Sequence, residues 1–195
     1  MTGLIDVSIS ELTAMATKAA RGAGFDWGMA DEAARATCWL AARDLPGTKA
    51  LADLLDQLDG KTLSEFAPVI GGGEWTARGG WLCPVTTGAA MLDRAEVLTA
   101  SPLRLGPTLC PLLVFPAVAE VWPGGAIAEP CDLTSTRTDA VSIKVGSGLP
   151  STPTSRAQVP QAIWDSLSTY ANRTYAPATE ASRLAGAGAG LSDND

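Results

Sequence analysis

The chain has 195 residues, of which 46% are hydrophobic and 18% are charged, and its formal net charge is −7. This length and apolar content suit one domain with its own core. The acidic balance and the lack of any Lys or Arg run argue against nucleic acid and membrane surfaces as partners. The sequence contains no histidine, which excludes Ser-His-Asp triads, Cys-His dyads and histidine-bound zinc.

Other features of the composition bear on location and assembly. Asp6 and Glu11 stand where a signal peptide has positive charge before an apolar run, so we expect a cytoplasmic protein with reduced thiols. The apolar stretch Leu109–Val121 contains two prolines and Glu120, and it is too short to span a bilayer. The low charged fraction indicates surface hidden against another subunit, and hence a homo-oligomer or a partner protein. The cysteines, with no CxxC pair among them, are Cys38, Cys83, Cys110 and Cys131.

Residues 1–60 predict three helices. Ser8 and Glu11 have the spacing of a capping box, which begins the first helix. Gly22 and Gly24 end this helix, because glycine accepts the left-handed conformation that stops a helix. The other two helices are predicted from Trp27 or Met29 to Arg43 and from Lys49 to Leu58.

Residues 61–150 change character, because glycines and prolines separate short apolar runs. Such runs between turn formers are typical of strands. The predicted strands are Trp81–Val85, Ala95–Ala100, Cys110–Phe115 and Val141–Val145. A short helix over Thr87–Arg94 is an alternative within this part.

Residues 151–195 comprise a connector, a helix and a Gly/Ala tail. The Ser/Thr/Pro/Gly-rich connector covers residues 146–160, and Pro160 suits the first turn of the helix that follows. Helices at both ends with strands between them predict an α+β fold. We therefore expect a single domain over residues 1–195, with a helical part (1–60), a β-rich part (61–150) and this last part (151–195).

The C-terminal segment alternates glycine with alanine between residues 185 and 190. Successive backbone N–H groups without bulky side chains can form an anion-binding nest, here with Arg183 beside it. The segment neither follows a strand nor opens a helix, so it does not fit a dinucleotide-binding loop. The alternative is a flexible tail.

A second glycine-rich joint, Arg21–Gly28, links two predicted helices. A helix N-terminus attracts anions, and Arg21 is suited to hold a carboxylate there. The alternative is an ordinary turn with Trp27 packed inside.

A third segment, residues 71–84, combines glycines with Arg78 and Cys83. A thiol beside a cation has a lowered pKa and becomes nucleophilic, whereas most free cysteines are simply buried. The pairs Asp93-Arg94 and Glu180…Arg183 each combine an acid with a base, which suits either proton exchange with a carboxylate or a structural ion pair.

Two ends of the chain resemble a known family. The run KAARGAG at residues 18–24 with its surroundings, Ser10–Ala33, and the segment Arg173–Gly190 are similar to a bacterial family of uncharacterised proteins, domain of unknown function 3726. The piece Pro84–Arg94 fits as well. The resemblance implies that the joint and the C-terminal segment belong to the family's pattern, and it implies no activity.

The leading hypothesis is a small-molecule catabolic enzyme, a lyase, isomerase or hydrolase, that acts on a carboxylate-bearing metabolite. No cofactor or metal is indicated. The residues expected to bind the substrate are Arg21, Arg78, Ser182, Arg183, Gly186, Gly188 and Gly190. Those expected to carry the chemistry are Glu180 or Asp93 as proton carriers and Cys83 as a nucleophile. The rival hypothesis is a non-catalytic subunit or assembly protein that docks on a larger enzyme.

Overall fold

The fold is described by a computed structural model over residues 3–71, 73–98, 103–123, 126–129, 132, 135–145 and 152–175. Its helices are α1 (Ile9–Gly22), α2 (Trp27–Ala41), α3 (Gly47–Leu58), α4 (Pro84–Leu92), α5 (Ala95–Leu98), α6 (Phe115–Val121) and α7 (Gln161–Asn172). Two 3-10 turns cover Leu63–Phe66 and Pro111–Val114. The predicted α+β class is confirmed.

The strands form three small sheets. They are β1 (Leu4–Ser8), β2 (Pro68–Val69), β3 (Glu74–Ala77), β4 (Leu103–Leu105), β5 (Thr108–Leu109), β6 (Ala126–Glu129), β7 (Arg137–Thr138), β8 (Val141–Val145) and β9 (Arg156–Pro160). One sheet has the order β2-β3-β4-β8-β6, in which only β3 and β4 run parallel. β1 pairs antiparallel with β9, and β5 pairs antiparallel with β7.

The predicted capping box begins α1. The backbone N–H of Glu11 donates to Ser8 Oγ at 3.1 Å, and the backbone N–H of Ser8 donates to Glu11 Oε2 at 2.8 Å. The backbone N–H of Ser8 and its hydroxyl, at 2.8 Å, both donate to the Glu11 carboxylate, and these two hydrogen bonds lower the pKa of that carboxyl. The cap therefore fixes the residue at which β1 ends and α1 begins.

The helical core packs through small side chains. Alanines of α1 and α2 have at most 1% of their surface exposed, and they let the two helices approach closely: Ala16, Ala19, Ala20, Ala30, Ala33 and Ala34. Leu51, Leu54, Leu55 and Leu58 of α3 are fully buried beside them. Each such leucine contributes about 1.5–3 kcal/mol relative to an exposed one. A second apolar cluster joins the five-stranded sheet to α6, and a third lies beneath β1 and β9.

Three apolar runs predicted as strands are not strands, and those predictions are wrong. The run 81–85 has one isolated bridge at Leu82 and then begins α4, the run 95–98 is α5, and the run 110–115 is a 3-10 turn that leads into α6. Pro84 and Pro111 stand in the first turn of helical segments, where the missing N–H of proline breaks no hydrogen bond. Short apolar runs do not distinguish a strand from a buried helical turn by periodicity.

Other predictions are confirmed or corrected by the same description. The alternative helix over 87–94 corresponds to α4, and the predicted strand Val141–Val145 is β8. The last five residues of the predicted connector instead form β9, in which Ala157 and Val159 are buried and Arg156 and Gln158 are exposed. The other helices begin or end within two residues of their predicted bounds.

Candidate functional site

Within the glycine-rich joint Arg21–Gly28, the four residues 23–26 link α1 to α2. Gly24 takes a φ of +102°, which a residue with a side chain rarely adopts. Phe25 is 1% exposed and anchors the joint in the core. The carboxylate of Asp26 accepts the backbone N–H of Met29 at 2.8 Å and so begins α2. These anchors place Trp27, the first residue of α2, beside the last turn of α1.

A cleft of about 610 Å³ opens between α1, the start of α2 and the C-terminal end of α7. This volume lies in the usual range of small-molecule sites. The lining residues are Ala14, Thr17, Lys18, Arg21, Gly22, Trp27, Arg173 and Thr174. Ala14, Lys18 and Arg21 share one face of α1, because they are three or four residues apart.

The cleft is cationic. Lys18, Arg21 and Arg173 line it, and no carboxylate stands among its lining residues in the described part of the chain. The Lys18 ammonium donates to the Tyr175 hydroxyl at 3.1 Å and lies 5.4 Å from the centre of that ring. An ammonium has three donors, so Lys18 keeps donors for a further acceptor.

Arg173 is held in place by an ion pair. Its two terminal nitrogens donate to the two carboxylate oxygens of Asp59 at 2.6 and 3.0 Å. This pairing lowers the pKa of Asp59 and raises the pKa of Arg173. The guanidinium also lies 4.5 Å from the centre of the Tyr170 ring, whose hydroxyl donates to Asp56 at 2.7 Å. Arg173 therefore borders the cleft, while its two terminal nitrogens are engaged by Asp59.

Arg21 and Trp27 form a stacked pair at the other end of the cleft. The guanidinium carbon of Arg21 lies 4.4 Å from the centre of the indole ring, and Nη1 donates to the Phe25 carbonyl. Trp27 is 69% exposed. The alternative prediction that Trp27 packs inside the joint is therefore wrong.

The site residues predicted from the sequence occupy different places in the structure. Arg21 lines the cleft. Cys83 is 1% exposed just before α4, and burial raises the pKa of its thiol, so the thiolate needed for a nucleophile is disfavoured. Asp93 follows α4 and Arg78 follows β3; both are exposed, and neither lines the cleft. The structure therefore brings Arg21 together with Lys18 and Arg173, and not with the other three.

Six predicted residues lie outside the described residues: Glu180, Ser182, Arg183, Gly186, Gly188 and Gly190. Their roles stay predictions.

Sequence reasoning missed Lys18 and Arg173. The signal for Lys18 was its position one turn before Arg21 on the polar face of a predicted helix. Arg173 carried no such signal, because its place in the cleft depends on how α7 packs against α1.

Several other groups bear on possible chemistry. Cys38, Cys83 and Cys110 are free thiols, and Cys131 lies outside the described residues. The described ranges contain no cluster of three or more Cys, Asp or Glu side chains arranged to hold a metal ion. Within the same ranges, no helix is both long enough and apolar enough to cross a membrane.

Comparison with known proteins gives one match. Residues 7–80 match the model of a family described as "Protein of unknown function (DUF3726)". No curated protein and no solved structure matches the chain. The matched segment includes α1, the joint and α2, and so contains Lys18, Arg21 and Trp27 of the cleft, whereas Arg173 lies beyond it. Over residues 7–80, the chain is therefore similar to the DUF3726 family.

Proposed function

We propose that this protein binds a small organic carboxylate in the cleft between α1, α2 and α7, and acts on it as a metabolic enzyme that uses no histidine. One observation carries the proposal. Lys18, Arg21 and Arg173 line a single cleft that has no carboxylate among its described lining residues, in a chain whose net charge is −7. A local excess of cations in an acidic protein attracts an anion to that place by electrostatic focusing.

The size and shape of the cleft support a small molecule over a large partner. Its volume of about 610 Å³ accommodates a compact metabolite. Charge-assisted hydrogen bonds from ammonium and guanidinium groups are the usual means of holding a carboxylate. The side chains of this cleft are thus suited to bind and orient an organic anion.

The chemical step rests on a different part of the chain. A lyase, isomerase or hydrolase needs a group that moves a proton, and Glu180 is the predicted candidate, seven residues after Arg173 in the sequence. We therefore assign binding to the cleft and proton transfer to Glu180.

The test is titration calorimetry at low ionic strength with a panel of small carboxylates and their neutral amides. A Lys18→Gln/Arg21→Gln double variant is compared with Arg94→Gln/Arg104→Gln, which removes two exposed arginines outside the cleft and matches the change in net charge. We expect at least one carboxylate to bind, and its affinity to fall about tenfold or more in the first variant only.

Equal binding by both double variants would place the anion elsewhere and overturn the assignment of the cleft. If no carboxylate binds, the non-catalytic docking subunit becomes the better hypothesis. Substitution Glu180→Gln separates the two halves of the proposal, because it should abolish turnover of a bound carboxylate while leaving its affinity within about twofold.

A further inference from the structure

We infer that the carboxylate is a planar, aromatic one, with its ring against Trp27 and its charge between Lys18 and Arg21. The inference rests on the proposed function, since it names the chemical class that the same cleft accepts.

The expected position of the ligand's carboxylate follows from how far each of the three cations is already engaged by hydrogen bonds within the protein. Both terminal nitrogens of Arg173 donate to Asp59, and that carboxylate already balances its charge. Lys18 and Arg21 are one turn apart on α1 and each retains donors beyond its single described hydrogen bond. The carboxylate therefore lies at the α1 side of the cleft, which is also the side that Trp27 borders.

Trp27 is the aromatic side chain among the described lining residues of the cleft. Trp27 is 69% exposed, although tryptophan usually buries most of its large surface. Its ring is held by the Arg21 guanidinium at 4.4 Å, so a ligand ring meets a platform that is already oriented. The other lining positions on this side are small or polar: Ala14, Thr17 and Gly22.

A flat surface discriminates by shape. An aromatic ring stacks on an indole with an offset, whereas a saturated ring of the same size touches it with only a few hydrogen atoms. The stacking adds about two- to tenfold in affinity beyond the area buried. Since the indole stacks on Arg21, and Lys18 lies one turn from Arg21 on α1, a ring joined directly to a carboxylate satisfies both features at once.

Titration calorimetry with three probes of nearly equal size tests this inference. Benzoate is planar and charged, cyclohexanecarboxylate is charged and not planar, and benzamide is planar and neutral. The wild-type chain is expected to bind benzoate about two- to tenfold more tightly than cyclohexanecarboxylate, and benzamide far more weakly than either.

Three variants test whether the indole of Trp27 is responsible for the preference for benzoate over cyclohexanecarboxylate. Trp27→Leu is expected to equalise the two carboxylates, and Trp27→Phe to keep most of the preference. Trp39→Leu is the matched control, because Trp39 is another tryptophan of α2 stacked under an arginine, Arg43 at 3.9 Å, and it lies outside the cleft. This control is expected to retain the preference for benzoate.

The outcomes separate this inference from the proposal beneath it. If cyclohexanecarboxylate binds as tightly as benzoate, or if Trp27→Leu keeps the preference, the aromatic class is wrong while the anion site stands. If neither of these two carboxylates binds but another member of the panel does, the aromatic class is again wrong while the anion site stands. If no carboxylate binds, or if Lys18→Gln/Arg21→Gln binds both probes as the wild type does, the proposed function fails as well. The comparison of benzoate with cyclohexanecarboxylate on the wild-type chain tests the aromatic class even if a variant does not fold.

Discussion

The backbone of Gly22 lies against the carbonyl group of Tyr170, so that a Cβ atom built on Gly22 would stand 1.8 Å from the Tyr170 oxygen and 2.7 Å from its carbon. Only glycine permits this approach, because backbone atoms have no means of turning aside. The contact brings the end of α7 onto the last turn of α1. It thereby places Arg173 and Thr174 on the same cleft as Arg21.

Substitution Gly22→Ala is expected to destabilise the protein by at least about 1–3 kcal/mol, because the added methyl group forces α1 and α7 apart. Urea unfolding measures the loss. The matched control is Gly28→Ala, whose Cβ would meet Asp26 Oδ1 at an ordinary 3.7 Å and whose helix propensity improves. A change in Gly22→Ala no larger than that of the control would contradict the close approach.

Asp59 is expected to make stability depend on acid pH. Its hydrogen bonds with Arg173 lower its pKa in the folded protein below the ordinary value of 3.8. Its contribution is therefore complete above that value and is lost as pH falls through the lower, folded pKa. In Asp59→Asn the free energy of unfolding should decline less on acidification than in the wild type. Parallel urea-unfolding series at neutral and acid pH measure the difference, and equal declines would rule out the effect.

Cys110 is expected to make stability depend on alkaline pH. Burial, with a smaller effect of Asp53, raises the pKa of its thiol from 9.0 to about 12. Between these values the unfolded chain loses a proton that the folded chain keeps, so the free energy of unfolding falls as pH rises. Over that whole window the loss is on the order of 4 kcal/mol. Cys110→Ser should show a shallower decline in unfolding experiments above about pH 9, whereas parallel curves would refute the assignment.

The protein is expected to become more stable when the side chain of Thr87 loses its hydroxyl group. The side chain is fully buried in α4, and within the described structure its Oγ1 has no hydrogen-bond partner. Thr87→Val keeps the shape and removes the unsatisfied group, so it should stabilise by about 1–2 kcal/mol in urea unfolding. The control is Thr37→Val, where the buried hydroxyl donates to the Ala33 carbonyl at 2.8 Å. That variant should be neutral or less stable, and the same response at both positions would contradict the reasoning.

The sequence predicted features that depend on neighbouring residues better than it predicted the pairing of strands that are distant in the chain. Ser8 and Glu11 marked the start of α1, because a capping box involves neighbours three residues apart. β1 was not predicted, since its partner β9 comes from the other end of the chain and no local pattern reveals such a pair. The runs that contain Pro84 and Pro111 were misassigned because a buried helical turn and a strand have the same apolar composition.

In the candidate site, too, the residue with a local signal was predicted and those that depend on tertiary packing were not. Arg21 was predicted from the glycine-rich joint beside it, which is a local signal. Arg173 could not be predicted, because only the approach of α7 to Gly22 carries it to the cleft. The exposure of Trp27 likewise depends on which neighbouring side chain fills the core, and Phe25 takes that place.

The pairing of β1 with β9 also determines how late in synthesis the N-terminal strand can find its partner. Asp6 and Arg156, which form an ion pair across these strands, are 150 residues apart. A nascent chain that ends before Arg156 therefore has no partner for the backbone of β1, and no α7 to cover α1. Until the last described helix leaves the ribosome, the N-terminal strand presents an open edge to other chains. Translation pauses or premature stops before Arg156 would thus favour aggregation over partial function.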